Sequence, residues 1–168
     1  KPAIRCFGQA LSYADVDRLS GAFAAYLQDA LGVRKGDRIA VMLPNVPAFP
    51  IAMLGIVRAG AAQVNVNPMY TPRELEHQLN DAGCQTIVIY CGSTPTLAEV
   101  LARTGIRNVI TVNLGDGTAA PVPSPAVDGR LTTTTAFTAA LEQGAGMTRT
   151  PVTLSGDDLL FLQYTGGT

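Results

Sequence analysis

Apolar positions along this chain follow two rhythms, a short one of strands and a longer one of helices. Two brief runs come first, Ala3–Phe7 and Ala10–Tyr13, separated by Gly8-Gln9. A two-residue connection containing glycine suits a tight hairpin turn. The spacing then lengthens: Val16, Leu19, Phe23, Tyr26, Leu27 and Ala30 share one helical face. Ser12 and Asp15 are spaced to close a capping box at its start, and Gly32 suits its left-handed end. Beyond Gly32, strand-like runs at Asp37–Leu43, Ala61–Val66, Thr86–Tyr90 and Asn108–Val112 alternate with helical patterns at Pro47–Ala59, from Thr71 to Gly83, and at Pro95–Arg103. The helix after Thr71 carries the clearest start signal. Thr71 is the cap, Pro72 brings a preset φ to the first turn, Glu74 closes the box, and Leu75, Leu79 and Ala82 form the buried stripe.

Short strands that are apolar throughout are buried on both faces. Alternating with helices, they predict an α/β fold: a mainly parallel sheet of about five strands with right-handed crossovers and helices on both faces. The opening hairpin is an antiparallel addition. Residues 113–135 break the pattern with Gly115, Gly117, Pro121, Pro123, Pro125, Gly129 and the run Thr132–Thr135, and are expected to form a flexible surface loop. A short helix at Phe137–Gln143, a turn at Ser155-Gly156-Asp157-Asp158 and a last strand at Leu159–Tyr164 complete the reading.

Composition narrows the functional classes. At 168 residues the chain is one domain, 1–168, and 47% hydrophobic against 15% charged residues exclude disorder. Thirteen acidic and twelve basic residues leave a net charge of −1, which gives no patch for nucleic acid. Cys6, Cys84 and Cys91 form no C-x-x-C, and with His77 as the single histidine they do not make a zinc site. Reduced thiols in the cytoplasm are the expectation. The apolar stretch Val46–Val64 is interrupted by Pro47, Pro50, Gly55, Arg58 and Gly60, so it is not read as a membrane span. The chain begins without Met and stops at Thr168 with no helix to follow, which suggests a piece excised from a longer protein.

Several motifs invite a chemical reading and fail it. Gly115-Asp116-Gly117-Thr118-Ala119-Ala120 fits G-x-G-x-x-A after a strand, but three prolines follow where a dinucleotide site needs a helix N-terminus. Neither Lys1 nor Lys35 sits in a Walker A loop. His77 belongs to a solvated helix face, and Asp157-Asp158 to an ordinary turn. Asn65 and Asn67 share the face opposite Val64 and Val66 at a strand's carboxyl end, where their expected task is tying down the turn into Pro68. The last strand runs into Tyr164-Thr165-Gly166-Gly167-Thr168. Consecutive glycines let backbone approach an anion, and flanking Thr hydroxyls can donate to phosphate oxygens.

Four segments together carry a resemblance: Leu43-Pro44-Asn45-Val46-Pro47-Ala48-Phe49, Gly55–Ala61, Asn67–Gly83 and Asp158–Thr168. Over nearly its whole length the chain resembles the N-terminal part of adenylate-forming (AMP-binding) enzymes, and specifically the long-chain fatty acid–CoA ligases. The resemblance implies activation of a long-chain fatty acid by ATP and Mg2+ to an acyl-adenylate, followed by transfer to CoA. It implies that Tyr164, Thr165, Gly166, Gly167 and Thr168 are the first half of the ATP phosphate loop. The second half of that loop with its lysine, the magnesium-holding acid, the adenine segment, most of the acyl tunnel and the C-terminal domain fall outside these residues. No catalytic or metal-binding residue is therefore assigned here, and the isolated chain is expected to be inactive and to self-associate through a truncated side. A cytoplasmic enzyme, with peripheral contact at the inner face of the membrane compatible, is the corresponding expectation. Two alternatives stay open: a stand-alone α/β binding or interaction module without catalysis, and a relative that activates another carboxylic acid.

Overall fold

A computed structural model of the chain describes residues 1–165; Gly166, Gly167 and Thr168 lie outside the described residues. The chain opens with an antiparallel hairpin, β1 (Pro2–Cys6) against β2 (Gln9–Ser12). Cys6 pairs with Gln9, so the turn residues are Phe7-Gly8 and not Gly8-Gln9 as the sequence suggested. Both take positive φ, 49° at Phe7 and 72° at Gly8, which matches the turn that follows the natural twist of two strands. Helix α1 (Tyr13–Asp29) begins with the expected capping box, Asp15 N–H donating to Ser12 Oγ and Ser12 N–H to the Asp15 carboxylate.

The remaining strands are β3 (Arg38–Met42), β4 (Ala62–Asn65), β5 (Thr86–Tyr90), β6 (Asn108–Val112), β7 (Thr135–Ala136) and β8 (Phe161–Gln163). They form one sheet of six strands in the order β7-β6-β5-β3-β4-β8, every neighbour parallel. Helices α2 (Ala48–Arg58), α3 (Pro72–Ala82), α4 (Thr94–Val100) and α5 (Phe137–Ala145) connect them. Thr71 caps α3 as expected, and Gly83 ends it at φ 66°.

Two cores flank the sheet. On one face Phe23 and Leu27 of α1, Ile51 and Ile56 of α2, and Phe137 of α5 pack on Ile39, Val41, Val88 and Ile110. On the other, Leu75 and Leu79 of α3 and Leu97 and Val100 of α4 cover Ala40, Met42, Val64, Ile87 and Ile89. Cys84 and Cys91 are buried free thiols, and burial pushes the Cys84 thiol up to about 11.

The sixth strand is β7. It begins at the last residue of the four-threonine run, where no apolar run signals a strand, and it exists through pairing with Ile110 and Thr111 of β6. From residue 113 to 134 the chain has no helix or strand, but several contacts tie it down. Leu114 N–H donates to Ser124 Oγ, Asp128 N–H donates to Thr94 Oγ1, and Leu131 is buried. The last strand is shorter than the apolar run that suggested it: Leu159 and Leu160 remain 60% and 46% exposed, and ladder pairing begins at Phe161.

Candidate functional site

Parallel pairing aligns side chains in rows across the sheet. One row runs Ile110, Val88, Val41, Asn65, Gln163, and the row before it includes Ile39, Gln63 and Phe161. On β6, β5 and β3 the first of these rows is apolar and lies under α1, α2 and α5, while the second continues from Ile39 to Thr86 and Asn108. On β4 and β8 the same face turns to carboxamides. Gln63 Nε2 donates to Asn65 Oδ1 at 2.5 Å, Asn65 Nδ2 donates to Gln163 Oε1 at 2.6 Å, and Gln163 Nε2 donates to the Tyr164 carbonyl at 3.3 Å. Gln63 is wholly buried, and its Oε1 has no partner among the described residues.

This face ends at Tyr164-Thr165, just past the carboxyl end of β8. In open α/β sheets, ligands bind outside the carboxyl ends of the strands. Tyr164 packs its ring against the core under α3, and its hydroxyl donates to the Asp81 carboxylate. Partial burial, reinforced by the Asp81 charge, raises that phenol to about 12, so it stays protonated at physiological pH. From the α3 side, Gln78 Nε2 donates to the Asn65 carbonyl at 2.8 Å. Thr165 is exposed. Of the five residues singled out in the sequence, the structure puts Tyr164 and Thr165 at this edge; Gly166, Gly167 and Thr168 lie outside the described residues.

The other candidates fall elsewhere. Lys35 stands before β3, at the amino end of the sheet, where its ammonium pairs with Asp158 at 2.8 Å and donates to the Thr153 carbonyl. Asp158 also accepts from Ser155 N–H, so it closes the turn into β8. His77 is exposed on α3. In the Gly115-x-Gly117 segment, Asp116 accepts from Asn113 N–H and no helix opens, so the dinucleotide pattern has no phosphate-facing helix end. Asn67 accepts from Met69 N–H at 3.0 Å and does tie the turn after Pro68. Asn65 does not: it is the middle of the amide chain. Gln63 and Gln163 were not singled out in the sequence; the alternation of Gln63 with Asn65 in β4 was a legible signal for the first, and β8 carries none for the second. Among the described residues, no cluster of three His, Cys, Asp or Glu side chains is placed to hold a metal ion.

Comparison with known proteins extends over the whole chain. The sequence profile of the family described as AMP-binding enzyme matches residues 1–168. A long-chain-fatty-acid–CoA ligase of Escherichia coli O6:H1 is 42% identical over 179 aligned positions, covering 100% of this chain and 32% of its own length. The chain thus spans about a third of the curated relatives it matches. The crystal structure of a long-chain-fatty-acid-CoA ligase from Archaeoglobus fulgidus superposes with a TM-score of 0.75 at 22% identity, over 100% of this chain and 29% of that one. A benzoate CoA ligase from Burkholderia xenovorans does so equally well, at 0.75 with 20% identity, over 96% of this chain and 29% of its own.

Proposed function

The chain belongs to the AMP-binding enzyme family, and on that premise we propose that it is part of a ligase that activates long-chain fatty acids with ATP and passes the acyl group to CoA. The observation that carries this reading is the whole-chain match to long-chain-fatty-acid–CoA ligases at 40–42% identity. It is supported by the position of Tyr164-Thr165 past the carboxyl end of a parallel strand. On this reading Tyr164 to Thr168 begin the loop that wraps the ATP phosphates. The backbone there can approach an anion closely, and the Thr hydroxyls can donate to its oxygens. Mg2+, when bound, would lower the charge of the triphosphate, and its ligands belong outside the described residues. The activity is cytoplasmic, with contact at the inner face of the membrane as a peripheral feature only. Among the described residues no helix is long and apolar enough to cross a membrane.

Fold similarity does not separate acid substrates, since the fatty-acid and benzoate enzymes superpose equally well; sequence identity favours the fatty acid. The deciding experiment is ATP–pyrophosphate exchange by the full-length protein against carboxylic acids of graded length. Long unbranched acids are expected to support the fastest exchange. A preference for benzoate or coumarate would transfer the chain to another branch of the family, and no exchange with any acid would favour a binding module.

We propose further that the isolated chain self-associates. Strand β8 has a ladder partner on one side alone among the described residues, and Leu159 and Leu160 lie exposed beside it. An open strand edge with adjoining apolar surface invites a second copy, and a net charge of −1 opposes this little. Light scattering at micromolar concentration should report a dimer or larger; a strict monomer would contradict it.

A further inference from the structure

We propose that Gln63, Asn65 and Gln163 are positioning residues: a one-way chain of side-chain amides that fixes the Tyr164–Thr165 peptide and so presents the Thr165 N–H to a nucleotide phosphate. The inference deepens the reading of Tyr164 to Thr168 as the start of a phosphate loop, and rests on it.

Gln63 stands where an apolar side chain would serve the fold better. The β3 neighbours of Gln63 and Asn65 in the same rows, Ile39 and Val41, are buried hydrophobics. Full burial of Gln63 with Oε1 unpartnered works against stability. A polar group kept in so unfavourable a place calls for a reason beyond sheet packing.

The direction of the bonds supplies one. Each amide along the chain gives from its nitrogen to the group after it, and Asn65 and Gln163 receive at their oxygens from the group before. The chain starts at the orphan Oε1 of Gln63 and ends on the Tyr164 carbonyl. Hydrogen bonds aligned head to tail polarise one another, so the last donor is strengthened by those behind it. Because the peptide unit is planar and trans, holding the Tyr164 carbonyl toward Gln163 turns the Thr165 N–H the opposite way. From the α3 side Asp81 holds the Tyr164 hydroxyl, and Gln78 holds the Asn65 carbonyl. The peptide after β8 is therefore set from both faces, although β8 itself is only three residues long. A backbone N–H fixed in this way before the ligand arrives binds an anion without an ordering cost. Its bond to a phosphate oxygen is of the strong, charge-assisted kind.

The test uses the full-length protein with Gln163→Met, Asn65→Leu and the double variant. ATP binding is measured by calorimetry, and KM and kcat by the acid-dependent reaction. Gln163 is exposed, and Met keeps its length while removing both amide functions, so this variant retains the fold. Each single variant is expected to weaken ATP binding and raise KM for ATP about tenfold, equivalent to about 1.4 kcal/mol. The kcat and the KM for the fatty acid should stay within about twofold of wild type, because neither depends on the placement of this N–H once ATP is bound. The double variant should be no weaker than the worse single, since both substitutions cut one chain. If Asn65→Leu lowers the folded fraction, kcat falls while KM does not, and Gln163→Met then decides. Unchanged ATP affinity in Gln163→Met, or losses that multiply in the double variant, would overturn the proposal alone. A wild-type protein that binds no ATP would overturn the functional reading and this proposal with it.

Discussion

Gly144→Val is expected to destabilise the fold by about 3 kcal/mol, the upper end of what forced overpacking costs. In a chain of this size that lowers the melting temperature by roughly 6–12 °C. Helix propensity alone argues for the opposite sign with alanine, since glycine inside a helix is worse than alanine by about 1 kcal/mol. Geometry decides against propensity. A Cβ on Gly144 would lie 2.0 Å from the Ala22 carbonyl oxygen and 2.8 Å from its carbon, both backbone atoms of α1 that no rotamer change can move. To admit it, α5 must back away from α1. That would open the contact between Phe23 and Phe137, whose rings sit 5.0 Å apart at the centre of one core. The opposite flank of α1 is also close, though less so: a Cβ on Gly55 of α2 would come within 2.7 Å of Phe23 Cδ1. Helix α1 is thus clamped between two glycines, which is how three helices fit over one face of a narrow sheet. Gly129 provides the control. A Cβ there would meet nothing within 4 Å, so Gly129→Ala should leave the melt nearly unchanged. Equal melting of the two variants, followed by circular dichroism, would show that the helices are not held by close approach.

The parts of this fold legible in the sequence are those whose signal is local. Thr71, Pro72, Glu74 and Gly83 write the start and end of α3 within the helix itself, and all act as expected. Strands β5 and β6 are continuous apolar runs bounded by turn residues, and their limits were readable to the residue. What was missed depends on partners far away in the chain. Strand β7 has no pattern of its own and exists because β6 offers it a ladder. The hairpin turn shifted by one residue because Phe7 accepts a positive φ that glycine was expected to take.

The same division applies to the candidate site. Tyr164 and Thr165 stood out because an apolar strand ran into a Gly- and Thr-rich end. The amide chain did not, because Asn65 and Gln163 are 98 positions apart and meet only when β8 pairs with β4. Asn65 and Asn67 looked alike in sequence, sharing a face at one strand end. Their roles diverge because the ladder stops at Asn65: one side chain lies beside a neighbouring strand, and the other turns back on Met69 N–H.

The isolated 168-residue chain is expected to show no fatty-acid-dependent ATP–pyrophosphate exchange, while the full-length protein shows it readily. Adenylation builds negative charge on a five-coordinate phosphorus and on departing pyrophosphate, and enzymes meet that charge with metal ions and cationic side chains. Removing even one preorganised donor to a developing anion costs about 10²–10³ in rate. The chain has two lysines. Lys35 is committed to Asp158 and the Thr153 carbonyl at the amino end of the sheet, opposite the edge where Thr165 emerges. Lys1 precedes the first strand of the hairpin, which packs on α1. Neither stands where Tyr164 and Thr165 would meet a triphosphate, so several such donors are lost together and their combined effect places the rate below detection. Incorporation of labelled pyrophosphate into ATP by the purified chain, above a no-acid control, would overturn this account of the missing cations. Background exchange by the chain beside robust exchange by the full-length protein would locate the chemistry outside these residues and leave to them the sheet and the entry to the phosphate loop.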